Sequence, residues 1–188
     1  MFVPLRWSRD CSVMSERKVD FEYFKYPERF AFLTDDQVAC SICCDVKVCF
    51  DAGGYSGVNQ IDCICSECLK AGKLIDLEIE PNMIFDDGSE ASKIITYKTP
   101  GLPTWQDTAW PTINGLKPVF QCIASKQDFT GKEDFLDCFI EGDQAKEDVE
   151  WIWDTLPDRK LNSLKEAGDI SVYLFSLDNR KYWVWDAC

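Results

Sequence analysis

Two short cysteine pairs constrain this chain more than any other feature: Cys40-x2-Cys43 and Cys65-x2-Cys68, with 21 residues between them. A two-residue gap lets both sulfurs of one turn point at a single ion. Two such turns complete a tetrahedron with metal–sulfur distances of about 2.3 Å. Four thiolates at this spacing are the ligand set of zinc. A filled tetrahedron leaves no position for a substrate, so Cys40, Cys43, Cys65 and Cys68 are expected to hold one structural zinc ion. In small zinc modules such binding contributes on the order of 10 kcal/mol to folding, which suits a loop region short of apolar core.

The chain has 11 cysteines, and Cys44, Cys49 and Cys63 crowd the same region. Cys63-x-Cys65 allows a shifted ligand register, although tetrahedral geometry favours the two evenly spaced pairs. A disulfide framework is the rival reading. It is disfavoured because an odd count leaves one thiol over and because no apolar run of signal-peptide length opens the sequence. A thioredoxin-like dithiol would sit at a helix start in a βαβ pattern, and none surrounds Cys40. Cys11, Cys122, Cys138 and Cys188 are isolated and read as core or surface thiols.

Histidine is absent altogether. It is the usual general base near neutral pH and a common catalytic metal ligand, so its absence removes Ser-His-Asp, Cys-His and His-metal mechanisms. The net charge of −13 sets a field that repels nucleic-acid phosphates and anionic lipids and attracts a basic protein. No stretch approaches the ~18 apolar residues of a membrane span. The expectation is a cytoplasmic protein that contacts neither nucleic acid nor membrane directly.

Along the chain, residues 1–19 read as a loosely tethered extension, with Met14 a second potential start. The aromatic segment from Phe21 to Phe32 suits an extended strand and turn lying on a core. Residues 38–69 look like a hairpin, a loop and a second cysteine turn, with a short helix from Glu67 to Leu77. Met83–Phe85 and Ile94–Tyr97 read as strands around the turn Asp86-Asp87-Gly88. Asp143 can cap a helix running through Trp151 and Ile152 to Pro157, and a second short helix is expected over Asp158–Ala167. Ile170–Leu177 and Lys181–Trp185 flank the turn Asp178-Asn179 as a closing hairpin. The fold class is therefore α+β: a zinc-ribbon-like four-cysteine element packed with short strands, and a helical C-terminal part ending in a β-hairpin. Residues 20–188 are expected to form one domain, with an acidic helical insertion at about 141–168.

Several of these residues resemble the CbrC family, bacterial proteins whose members include a colicin-tolerance protein. The resemblance spans about residues 21–129 and the last hairpin. It lies in Phe21-Glu22-Tyr23 through Tyr26-Pro27, in Cys40-x2-Cys43, and in Cys65-Ser66-Glu67-Cys68 followed by Ala71-Gly72. It continues in Thr99-Pro100-Gly101, Trp105-Gln106, Trp110-Pro111 and Tyr173-Leu174-Phe175 with Asp186. Ser66-Glu67 stands where the family typically has Pro-Trp. Ile113-Asn114 and Ser176-Leu177-Asp178-Asn179 stand where relatives often carry further cysteines, so a second metal site is not expected. The acidic segment from Asp143 to Asp154 has no counterpart in the family.

The resemblance implies tolerance of, or immunity to, a nuclease-type bacterial toxin. A DNase domain is basic because it grips phosphates, and an acidic protein could cover that surface. The expected partner is thus a basic nuclease toxin, met by Asp143, Glu147, Asp148, Glu150 and Asp154 with Trp151 or Trp153 as anchor. The plainer reading of this segment is a solvated acidic face with its tryptophans turned inward. Likewise Trp105, Gln106 and Trp110 either line a groove or simply close the core. Two rival functions remain at this point: a thiol- or metal-dependent enzyme using Cys43, Cys44 or Cys63, and a zinc-stabilised tolerance adaptor that never contacts a toxin.

Overall fold

The computed structural model describes residues 20–106, 108–140 and 146–187. The expected N-terminal extension, Cys11, Asp143 and Cys188 lie outside them.

The closing hairpin organises everything else. Strands β8 (Ile170–Leu177) and β9 (Arg180–Ala187) pair antiparallel over eight partners, and β7 (Val119–Ile123) joins the far edge of β8. Asp178 and Asn179 both have positive φ, the backbone of a type I′ turn whose twist matches the strands it joins. Side chains along a strand alternate between faces, and in β8 both faces are buried. Tyr173 and Phe175 enter one core with Phe24, Phe30, Phe120 and the clustered cysteines. Val172 and Leu174 enter a second core with Phe135, Ile152 and Trp183. A short apolar run such as Val172-Tyr173-Leu174-Phe175 is what a strand covered on both sides requires.

The second core is built on α4 (Lys132–Asp137), α5 (Lys146–Val149) and α6 (Ile152–Thr155). Phe135 stacks on Trp183 with ring centroids 4.2 Å apart, and the indole N–H of Trp183 donates to the Phe135 carbonyl at 2.6 Å. The buried ring thus keeps its polar atom satisfied.

The first core takes the N-terminal half, which consists of very short antiparallel pairs. β1 (Val38–Ala39) pairs with β2 (Val46–Lys47), β3 (Phe50–Asp51) with β5 (Cys63–Ile64), and β4 (Ser56–Gly57) with β6 (Ile79–Glu80). The expected mixture of short strands and helices ending in a hairpin is present. The aromatic opening differs from the expected strand: Phe24 makes a single bridge to Phe120, and α1 (Pro27–Phe30) is one helical turn with proline at its start, where the missing N–H costs nothing.

Five further expectations are corrected. Ile94–Tyr97 lies in the helix α3 (Glu90–Lys98), because Ser89 caps it by accepting the Ser92 amide and outweighs the β-branched run. Met83–Phe85 contributes only the Ile84 bridge to Trp110. Asp158–Ala167 holds a single 3-10 turn at Leu164–Glu166 rather than a helix. There the guanidinium of Arg29 donates to the carbonyls of Leu161 and Asn162, leaving those acceptors engaged outside any helical ladder. The helix expected over Glu67–Leu77 shortens to α2 (Ser66–Lys70) plus the 3-10 turn Ile75–Leu77, broken at Gly72 with φ of 72°. The acidic segment is two helices rather than one, and the Trp151 indole N–H takes the Asp148 carbonyl between them. Among the described residues no helix is long and apolar enough to cross a membrane.

Candidate metal centre

The first cysteine pair sits on the turn of the β1–β2 hairpin. The Cys44 amide donates back to the Cys40 carbonyl and the Cys40 amide to the Asp45 carbonyl, both at 2.9 Å. Cys44 closes this tight loop with φ of 63°, a left-handed conformation. The second pair sits where β5 enters α2: Cys65 precedes the first helical residue and Cys68 lies within the first turn, on the same side. The two halves are stitched together by the Ser41 amide donating to the Cys63 carbonyl at 3.2 Å and by the Cys65 amide donating to Cys40 Sγ at 3.3 Å.

Together these elements bring Cys40, Cys43, Cys65 and Cys68 so close that their sulfurs all lie within 4.8 Å of one another. Cys43 Sγ and Cys65 Sγ are 3.8 Å apart. A tetrahedron with metal–sulfur bonds of about 2.3 Å has sulfur–sulfur edges of about 3.8 Å, so the donor set fits a four-coordinate ion. Cys40, Cys65 and Cys68 are buried, while Cys43 stands at the surface.

The electrostatics suit thiolates that share one cation. Burial alone would raise the Cys40 thiol, but the amides of Cys43, Cys65 and Ile42 donate to its sulfur and bring it down to about 6. Burial pushes Cys65 up, and burial with the nearby Cys40 and Cys43 sulfurs pushes Cys68 up to about 11. One thiolate therefore discourages its neighbours from ionising, and a divalent cation among them reverses that balance. Lys47 bridges Asp45 and Glu67, each at 3.4 Å, and its charge is favoured by Glu67 and Cys65 against the opposing effect of burial.

The crowding cysteines take other roles. Cys63 Sγ faces the Ala39 carbonyl at 3.4 Å and Cys49 Sγ the Lys47 carbonyl at 3.6 Å. Both thiols lie just behind the ligands, and burial followed by the Cys63 sulfur holds Cys49 up at about 12. Cys44 points to solvent. The evenly spaced pairs are the ones brought together.

A family model described as Uncharacterised protein family (UPF0167) matches residues 19–185. The chain belongs to that family. No curated protein and no solved structure matches it. In this UPF0167 member the matched span takes in the four clustered cysteines, the three-stranded sheet and the acidic helices.

The residues expected to meet a partner divide by burial. Glu147, Asp148, Glu150, Trp151 and Asp154 are exposed, while Val149 and Ile152 are buried beneath them. Glu150 is engaged by Lys132 at 2.9 Å. Trp153 packs inward on Phe129 and Phe135, whereas Trp151 is 46% exposed, edge-on to Trp185. Trp110 closes the core, its N–H held by the Pro118 carbonyl at 3.0 Å, but Trp105 does not. The sequence pointed to Asp186 only through the family resemblance and gave it no role; its buried carboxylate accepts the amides of both Trp105 and Gln106. Its partners lie some 80 residues away in sequence, so no local pattern announces it.

Proposed function

We propose that this chain is a zinc-stabilised, non-enzymatic immunity protein that binds and inhibits a basic nuclease toxin in the cytoplasm. Cys40, Cys43, Cys65 and Cys68 hold one zinc ion in a zinc-ribbon-like element. When bound, zinc supplies a cross-link between the β1–β2 turn and the start of α2. It fixes a region whose paired strands are only two residues long.

The observation that carries the binding role is the solvent face of α5 and α6. There Glu147, Asp148 and Asp154 stand in water beside the exposed Trp151, held in place by the buried Val149 and Ile152. Carboxylates steer a basic surface and set register, and an exposed tryptophan supplies desolvated contact area at the centre. The net charge of −13 and the resemblance to the CbrC family, with its colicin-tolerance member, support the same assignment. A surface of this charge disfavours direct contact with nucleic acid.

The test is a pull-down with a basic DNase toxin domain followed by a cleavage assay. A stoichiometric excess of the protein is expected to abolish cleavage, and Trp151→Ala to weaken the complex by about tenfold or more. Undiminished cleavage at that excess rejects the inhibitor role.

A further inference from the structure

A cleft of about 480 Å³ opens beside the sheet, and none of its lining residues belongs to the cysteine cluster or to the acidic helices. Its floor is rigid. The buried Asn82 amide donates to the carbonyls of Ile95, Thr99 and Pro100 and accepts the Leu102 amide at 2.8 Å. These four bonds pin the turn Thr99-Pro100-Gly101. Gly101 is required there because a Cβ would lie 2.8 Å from the Tyr55 ring. The rim is held from the other side by Asp186, whose carboxylate takes the Trp105 and Gln106 amides, while the Gln106 side chain donates to the Ala187 carbonyl.

What this scaffold presents is an aromatic corner beside carboxylates. Trp105, 59% exposed, meets Phe32 edge-on with centroids 6.0 Å apart. The Phe32 carbonyl accepts the amide of Asp51, which places that carboxylate's residue against the corner. Tyr55 and Met83 add apolar wall, and Glu80 supplies a second carboxylate, with one oxygen accepting the Tyr97 hydroxyl. No lysine or arginine lines the cleft, and among the described residues neither Asp51 nor Glu80 has a basic partner.

We infer that this cleft is a binding site for an organic cation, an alkylated ammonium group seated against the corner that Trp105 forms with Phe32, with Asp51 and Glu80 balancing its charge. Ring faces attract cations through the aromatic quadrupole, and partial enclosure in a cleft strengthens the attraction by shedding water. The volume lies within the range of small-molecule sites and leaves room for an alkylated ammonium group together with part of the molecule that carries it. The inference is independent of the toxin reading, since the cleft shares no residue with the α5–α6 face and its test contains no nuclease.

The test is calorimetric titration of the full chain with two probes and their uncharged matches. One probe is choline against its tert-butyl isostere, and the other is a capped pentapeptide with a central lysine against its norleucine version. A cation is expected to bind about tenfold more tightly than its neutral match, and Trp105→Ala to weaken it about tenfold. The double variant Asp51→Asn, Glu80→Gln is expected to remove the preference for charge while circular dichroism stays unchanged. Choline alone binding supports a free small-molecule ligand, and the peptide alone binding supports a side chain presented by a partner. Neutral matches binding as well as both cations, no binding by either, or affinity indifferent to both variants overturns the assignment.

Discussion

The backbone amide of Cys65 donates to Cys40 Sγ at 3.3 Å, so the two halves of the metal centre are joined by a bond from one ligand residue to another's sulfur. Such a contact favours the thiolate of Cys40 and fixes the approach of β5 to the β1–β2 turn before any metal arrives.

Removing a ligand should therefore cost both metal and fold. Cys65→Ser is expected to lose stoichiometric zinc and to lower the thermal midpoint by roughly 10 °C or more, with Cys44→Ser retaining both. Elemental analysis and thermal unfolding of the two variants check it. Full metal retention by Cys65→Ser would exclude this ligand set.

The second core depends on the ring stack between Phe135 and Trp183. Phe135→Ala deletes a fully buried ring, so about 3–5 kcal/mol of stability should disappear in urea unfolding. A loss below about 1 kcal/mol would mean that the stack is not formed in solution.

At the base of the cleft, Asn82→Ala leaves the three carbonyls it served and the Leu102 amide without partners. The expected cost is about 2–3 kcal/mol, and amide hydrogen exchange should quicken at Leu102. Unchanged exchange there would show that the turn holds itself.

Acid should act through Asp87. The hydroxyl and amide of Ser89, the Ser92 hydroxyl and the Lys117 ammonium, 3.3 Å away, hold its carboxyl well below the usual range. A depressed carboxylate stabilises the fold above its unfolded pKa of about 3.9 and loses that contribution as pH falls through the folded value. The stability gap between the wild type and Asp87→Asn should thus be constant near neutrality and shrink below about pH 4. A pH-independent gap in denaturant titrations would refute the assignment.

The hairpin turn offers a sharper contrast. Asn179 has φ of 63°, which glycine and asparagine tolerate and a β-branched residue does not. Asn179→Gly should leave stability unchanged within about 0.5 kcal/mol, while Asn179→Val should cost about 1–2 kcal/mol. Equal midpoints for the two variants would argue against a type I′ turn.

The parts legible in the sequence were those written in local chemistry. Cysteine spacing picked out the four sulfurs that the fold brings together, and Asp178-Asn179 between alternating runs marked the last hairpin. Ile94-Ile95-Thr96-Tyr97 was misleading because β-branched residues signal a strand only when nothing upstream starts a helix, and Ser89 does. The missing helix after Pro157 follows from Arg29, more than 130 residues away, whose guanidinium engages carbonyls that a helix would have used. Trp105 and Trp110 look equivalent in sequence and are separated by distant contacts: Asp186 draws the backbone of Trp105 to the rim, while Pro118 and the Ile84 bridge hold Trp110 in the core.

Strand β8 separates two interiors without belonging more to either. Along its eight residues, parity works as an address: a change at Tyr173 or Phe175 is delivered to the cysteine-bearing half, and one at Val172 or Leu174 to the half beneath the acidic helices. Neighbouring positions in this strand can therefore perturb the two halves separately, although a single peptide bond links them.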